Sequence, residues 1–128
     1  MKNHLDVGRW GEDLAVAILQ TSGLQILERN WRPRTTEYEG ALRGEVDAVA
    51  IDTVQENLVF VEVKTRSTVN FGNPFEAITA SKAQRLRALA YTWCRENPDY
   101  RFLPLRLDAV SICGNERSFT FEHLKAVS

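Results

Sequence analysis

Apolar residues recur at helical spacing in two segments of the chain, one near each end. The first segment predicts a helix from Leu5 to Thr21, ended by Ser22-Gly23. The second predicts a helix from Ser81, whose spacing to Gln84 is typical of a capping box, to about Glu96. Its apolar stripe consists of Leu86, Leu89, Ala90 and Trp93. Both helices are therefore expected to pack one face against a core.

Segments rich in β-branched and aromatic residues lie between and after these helices and predict strands. They are Leu24 to Trp31, Glu45 to Asp52, Leu58 to Thr65, a strand within Arg101 to Ile112, and a short strand over Ser118 to Phe121. Strict alternation along the first of them would place Glu28 on the same face as Leu24 and Ile26. The order of helices and strands predicts one α/β domain over residues 1–128, a central mixed sheet flanked by helices.

The two strongest strands are joined by a connection, Asp52 to Asn57, that is short enough for a hairpin. A turn centred between Val54 and Gln55 pairs residues whose numbers sum to 109. Asp47 then lies opposite Glu62, and Glu45 lies opposite Lys64. Side-chain alternation places all four ionisable groups on one face of the sheet.

Both faces of this hairpin are predicted to be buried. The face opposite the ionisable groups consists of Val46, Ala48, Ala50, Val59, Val61 and Val63. Buried charges are costly unless they are paired or bind a metal, and carboxylates opposite each other repel. A divalent cation with oxygen ligands, Mg²⁺ or Mn²⁺, would remove that repulsion.

The first helix offers a further carboxylate, Glu12. It shares a helix face with small or apolar residues, which predicts that it points towards the sheet. Gly8, Gly11 and Ala15 would let the helix approach the sheet closely. The alternative is an exposed glutamate in the first turn, stabilised by the helix dipole.

Composition and charge narrow the class of protein. The apolar fraction of 44% and the charged fraction of 26% are those of an ordinary soluble domain. The net charge of −1 argues against coating nucleic acid by bulk electrostatics but allows a local basic strip. The polar start, Met1 to Arg9, does not resemble a secretory signal, so we expect a cytoplasmic protein. Cys94 and Cys113 are predicted to be reduced thiols in the core.

Several motifs resemble the signature of the YraN-type family of proposed endonucleases. The most specific are Gly44-Glu45-Val46-Asp47 and Phe60-Val61-Glu62-Val63-Lys64-Thr65-Arg66. Others are Gly8-Arg9-Trp10-Gly11-Glu12, Asn30, Arg32, Phe71-Gly72, Lys82 and Arg106-Leu107-Asp108. The resemblance implies a restriction-endonuclease-like fold, similar to archaeal Holliday-junction resolvases and within the PD-(D/E)xK nucleases. Val46 replaces the Pro of the motif name, a departure common in that superfamily.

The resemblance also implies roles for individual residues. Asp47 and Glu62 would bind Mg²⁺ together with the carbonyl oxygen of Val63, and Glu12 would reach the metal directly or through water. Lys64 would orient and acidify the attacking water or stabilise charge in the transition state. Glu45 would be a ligand, a ligand of a second metal, or the partner of Lys64. Four basic residues would contact nucleic-acid phosphates, unless they simply form a solvated surface: Arg43, Arg66, Lys82 and Arg85.

The leading hypothesis is a Mg²⁺-dependent endonuclease that hydrolyses phosphodiester bonds of DNA; whether it selects branched DNA is left open by the sequence. The alternative is a nucleic-acid-binding module of the same fold with little or no catalytic activity. A third interpretation is a protein-interaction domain, which the near-neutral charge permits. Because the resolvase-like relatives act as dimers, the resemblance also implies a homodimer.

Overall fold

A computed structural model of the protein describes residues 4–34, 42–66 and 79–127. Its elements in chain order are α1 (His4–Thr21), β1 (Leu24–Trp31), β2 (Val46–Asp52), β3 (Asn57–Arg66), α2 (Ala80–Glu96), β4 (Leu105–Gly114) and β5 (Phe119–Leu124). The strands form one sheet in the order β1-β2-β3-β4-β5. The β3–β4 pair is parallel and the other pairs are antiparallel, which confirms the predicted mixed sheet.

The β2–β3 hairpin has the predicted register. Its pairs run from Ala48↔Val61 to Asp52↔Asn57, and the numbers of each pair sum to 109. The Asp52 carboxylate closes the turn, because its Oδ1 accepts hydrogen bonds from the N–H groups of Val54 at 3.1 Å and Gln55 at 3.0 Å. The turn chemistry and the apolar pattern of the strands therefore specify the same pairing.

The sheet is buried on both faces, as the uninterrupted apolar runs predicted. On one face, α1 packs against alternate residues of the three central strands; that cluster includes Ala15, Ile18, Leu19, Ala48, Ala50, Val59, Val61, Val110 and Ile112. On the other face, α2 uses the predicted stripe; that cluster includes Leu86, Leu89, Ala90, Trp93, Val49, Leu58, Phe60 and Leu107. The result is a layered α/β core with one long helix on each side of the sheet.

Two side chains lie on a different face from the one that strict alternation predicts. A β-bulge between Ile26 and Glu28 shifts the register, and Glu28 Oε1 accepts a hydrogen bond of 3.0 Å from Nε1 of Trp93 on α2. Val46 packs in the α2-side core beside Trp31 instead of with the α1-side residues. Pairing with β3 does not determine the side on which the Val46 side chain lies, because the β2–β3 pairs end at Ala48.

Two element boundaries also differ from the predicted ones. The N-cap of α2 is Thr79 and not Ser81, since Oγ1 of Thr79 accepts a hydrogen bond of 3.2 Å from the N–H of Lys82. The strand predicted within Arg101 to Ile112 is β4, which begins at Leu105 after a 3₁₀ turn at Pro98–Tyr100 and ends at Gly114, two residues beyond Ile112. The segments from Pro33 to Arg43 and from Ser67 to Pro74, which no predicted helix or strand covers, fall largely and wholly, respectively, outside the described residues.

A buried polar network joins the hairpin end of the sheet to the C-terminal strand. Arg106 donates from Nη1 to Asp52 Oδ2 at 2.8 Å and from Nε to Asp108 Oδ1 at 2.9 Å, and His123 Nε2 lies 2.8 Å from Asp108 Oδ2. Burial raises the pKa of Asp108, but hydrogen bonds from His123 and Arg106 outweigh it and hold that pKa below its ordinary value. The network is thus internally satisfied, and it is structural.

Two smaller expectations concern the cysteines and the membrane. Cys94 and Cys113 are free thiols, and both are half-buried, whereas the sequence predicted them to lie in the core. Of the helices that the structure describes, none has the length and apolar character to cross a bilayer.

Candidate functional site

Asp47 lies at the start of β2, one residue beyond the last backbone pair between β2 and β3. Its Oδ2 accepts a hydrogen bond of 2.7 Å from the N–H of Val63. At this point the Asp47 carboxylate, instead of a backbone carbonyl of β2, bonds to the backbone of β3. The carboxylate is therefore fixed next to Glu62. This position agrees with the predicted proximity of Asp47 and Glu62.

Three carboxylates from three parts of the fold meet at Asp47. Glu12 comes from α1 and Glu45 from the segment just before β2, and one oxygen of each of the three residues lies within 4.8 Å of the others. All three side chains are half-buried. The expectation that Glu12 points towards the sheet is therefore confirmed.

A single glycine lets α1 approach closely enough for Glu12 to reach the cluster. A Cβ on Gly11 would overlap Oγ1 of Thr65 near the end of β3 and would lie 2.9 Å from its Cβ. A Cβ on Gly8 would have no described heavy atom within 4 Å. Of the two glycines, the close approach of α1 to the sheet thus requires only Gly11.

The negative charge of the cluster is only partly compensated by neighbouring cations. Burial, and then the charges of Glu62, Glu12 and Glu45, raise the pKa of Asp47 to about 7, against the opposing effect of the hydrogen bond from Val63. Burial and the charge of Glu45 also raise the pKa of Glu12. Asp47 and Glu12 thus lie close to further carboxylates that oppose their ionisation, and a cation would stabilise such a cluster.

Asn30 and Arg32, on and just after the end of β1, hold the outer carboxylates. The Asn30 amide, oriented by its acceptors, donates from Nδ2 to Glu45 Oε1 at 2.8 Å and to Glu12 Oε2 at 3.1 Å. Arg32 donates to Glu45 Oε2 from Nη2 at 2.8 Å and Nε at 3.0 Å. No pattern along the sequence assigns a role to either residue. The pairing of β1 with β2 was the missing information, because it places Asn30 beside Asp47.

A cavity of about 380 Å³ opens on the α2 side of the carboxylates. It is lined by Gly44, Glu45, Asp47, Glu62, Lys82, Arg85, Leu86 and Leu89. Burial raises the pKa of Glu62, and the charges of Lys82, Lys64 and Arg85 oppose that rise. Two exposed cations at the start of α2 therefore face the acidic residues across a space large enough for a small anionic group.

The other predicted site residues are placed less closely. Lys64 is half-buried on β3, and its charge acts on Glu62. Its predicted pairing with Glu45 and the ligand role of the Val63 carbonyl stay predictions. Arg43 is exposed just before Gly44, and Arg66 is half-buried at the end of β3. The Phe71-Gly72 motif lies outside the described residues.

The donor set fits a hard divalent cation. The converging groups are carboxylate oxygens from Glu12, Glu45 and Asp47, with Glu62 in the adjoining cavity. Oxygen ligands of this kind suit Mg²⁺ or Mn²⁺, whereas the soft ligands that select zinc or copper are not part of this cluster.

Comparison with known proteins places the chain in a family. The family described as "Uncharacterised protein family UPF0102" matches residues 11–112. A UPF0102 protein of Mycolicibacterium gilvum is 45% identical over 122 residues, which covers 94% of this chain and 92% of the relative. Those of Pseudarthrobacter chlorophenolicus and Rhodococcus opacus are 42% identical (95% of this chain, 85% of the relative) and 40% identical (98% of each). The chain belongs to the UPF0102 family.

Proposed function

We propose that this protein is a metal-dependent endonuclease that hydrolyses phosphodiester bonds of DNA. The observation that carries the proposal is the convergence of Glu12, Glu45 and Asp47 within 4.8 Å. The adjoining cavity is lined on its α2 side by Lys82 and Arg85. The motif resemblance to PD-(D/E)xK nucleases supports the same chemistry, since Asp47 and Glu62-Val63-Lys64 occupy neighbouring strands. An anionic phosphodiester requires the neutralising cation, because four carboxylates alone would repel it.

Asp47, Glu12 and Glu45 would hold Mg²⁺ or Mn²⁺, with Glu62 as a further ligand from the cavity side. When bound, the ion supplies positive charge at the scissile phosphate and a water of lowered pKa. Asp47 suits its place, because its hydrogen bond with Val63 fixes the carboxylate before any ion arrives. In-line hydrolysis adds the water oxygen to phosphorus as the bond from phosphorus to the leaving oxygen breaks. One proton of the water is released, and the leaving oxygen takes up a proton.

Basic residues would supply the remaining electrostatic stabilisation. Lys64 follows Glu62 by two residues on β3 and would donate to the attacking water or to the phosphoryl oxygens. Lys82 and Arg85 line the cavity that adjoins Asp47 and would bind flanking phosphates. Arg43 and Arg66 would extend this basic surface along the DNA.

The test is cleavage of defined DNA by the purified protein. Four-way junction, flap and linear duplex substrates are incubated with Mg²⁺, with Mn²⁺ or with EDTA. We expect metal-dependent cleavage that Asp47→Asn and Lys64→Ala each reduce by at least about 100-fold. Asp99→Asn, which changes an exposed carboxylate on the 3₁₀ turn, is the matched control and should cleave like wild type.

The outcomes separate the enzyme from a binding module of the same fold. Cleavage that survives Asp47→Asn would refute the proposed site. DNA binding without cleavage by wild type in either metal would favour the binding module. Gel-shift titrations at low salt that detect no binding of DNA or RNA would refute both the endonuclease and the binding module.

A further inference from the structure

Asn30 has a backbone conformation that is unusual for its position. Its φ of 52° lies in the left-handed region, although Asn30 belongs to strand β1. This region is unfavourable for residues with a Cβ, and asparagine tolerates it better than most. Such local strain persists only where the surrounding structure compensates for it.

The conformation places one amide between two carboxylates. The flanking pairs Arg29↔Ala48 and Trp31↔Val46 are intact, so Asn30 lies alongside Asp47. From there its Nδ2 donates to Glu45 Oε1 at 2.8 Å and to Glu12 Oε2 at 3.1 Å. A single uncharged group thus connects α1, β1 and the segment that precedes β2.

Without such a connection, Glu12 and Glu45 would not be held together. Like charges repel, and a glutamate side chain loses rotamer entropy when it is fixed in one conformation. The two hydrogens of the amide satisfy one oxygen of each carboxylate. Because the amide is neutral, it orders the two carboxylates without neutralising their charge. Arg32, by contrast, forms an ion pair with Glu45 from the solvent side and is 74% exposed.

We infer that Asn30 is a positioning residue, which holds Glu12 and Glu45 at the separation that binds a divalent cation together with Asp47. This inference rests on the proposed function, since it assigns Asn30 to the same metal site. Groups that orient metal ligands in this way typically change metal affinity about 10- to 100-fold when they are removed.

Direct Mn²⁺ binding, followed by electron paramagnetic resonance of the free ion, tests the inference without any substrate. Asn30→Gly is the informative variant, because glycine accepts a φ of 52° and only the amide is lost. We expect it to bind Mn²⁺ at least about 10-fold more weakly than wild type. Its unfolding midpoint in EDTA should stay close to that of wild type. Gln25→Gly, at an exposed position on the same strand, should bind Mn²⁺ like wild type.

A second pair of variants tests whether Asn30 acts through the carboxylates. In a Glu12→Ala background one of the two held groups is absent, so Asn30→Gly should weaken binding by less than it does in wild type. Equal losses in the two backgrounds would overturn the inference. Mn²⁺ binding by Asn30→Gly within twofold of wild type would overturn it alone and leave the proposed metal site intact. Absence of Mn²⁺ binding by wild type would overturn the metal site and the inference together.

Discussion

Strand β2 carries an aspartate near each end, and replacing each by asparagine should change stability in opposite directions. Asp47 receives one described hydrogen bond, from Val63, and Glu12, Glu45 and Glu62 all act on it with like charge. Asparagine at position 47 keeps an acceptor for the Val63 N–H and removes the charge. We therefore expect Asp47→Asn to abolish metal binding and to stabilise the metal-free protein at pH 8.

The size of the stabilisation follows from the pKa of Asp47. A rise from the ordinary value of 3.8 to about 7 corresponds to about 4 kcal/mol against the ionised folded state. Below pH 3.8 the carboxyl is protonated in the folded and the unfolded chain, so it contributes no pH dependence. Between 3.8 and 7 only the unfolded chain has lost the proton, and stability falls as pH rises. The gain from Asp47→Asn should thus be about 4 kcal/mol at pH 8 and about 1.5 kcal/mol at pH 5.

Asp52→Asn is the matched comparison at the other end of the strand. Asp52 accepts hydrogen bonds from the N–H groups of Val54 and Gln55 and from Arg106. The bond from Gln55, assisted by Arg106, lowers its pKa despite burial. Its contribution is therefore present above pH 3.8 and is lost as pH falls below that value. We expect Asp52→Asn to destabilise the protein by about 1.5–3 kcal/mol at both pH 5 and pH 8.

Urea unfolding in EDTA at pH 5 and pH 8, followed by tryptophan fluorescence, measures both variants against wild type. The unfolding slope of each variant should match that of wild type, so that midpoints report stability. The reasoning about Asp47 is refuted if Asp47→Asn is no more stable than wild type at pH 8. It is also refuted if the gain is the same at both pH values.

Two further predictions concern α1 and α2. Gly11→Ala should destabilise the protein by about 1–3 kcal/mol in urea unfolding, because its Cβ would overlap Thr65. Gly8→Ala should stabilise the protein by up to about 1 kcal/mol, because alanine has the higher helix propensity. Equal effects of the two substitutions would contradict the close approach at Gly11. Lys82→Gln should weaken binding of every DNA sequence alike and lower the salt dependence of binding by about one ion, as measured by fluorescence anisotropy at several salt concentrations. An unchanged salt slope would remove Lys82 from the DNA-binding surface.

The hairpin and the core could be predicted from the sequence because their information is local. A six-residue connection from Asp52 to Asn57 and alternating apolar residues determine the β2–β3 register. The apolar stripe of α2 likewise follows from helical spacing alone. A local pattern was misleading where two residues could play the same part. Ser81 matches a capping pattern, but Thr79 is the N-cap because its hydroxyl accepts the hydrogen bond from the N–H of Lys82.

The full set of carboxylates needed contacts that the sequence does not display. Glu12 reaches Asp47 because Gly11 allows α1 to approach Thr65, a contact between residues far apart in the chain. The role of Asn30 depends on a left-handed φ and on the pairing of β1 with β2. The helix pattern and the motif resemblance marked these positions, but the contacts that each residue makes could be found only from the fold.

The two aspartates of β2 lie in opposite electrostatic environments. At the hairpin end, the chain itself supplies donors to Asp52, and its charge stabilises the fold. At the other end, the chain surrounds Asp47 with further carboxylates, so that its charge opposes folding. A neutral side chain of the same shape would serve the folded state better at that position. This contrast supports the proposal that the charge of Asp47 serves to bind a divalent cation, which matches its oxygen-rich surroundings.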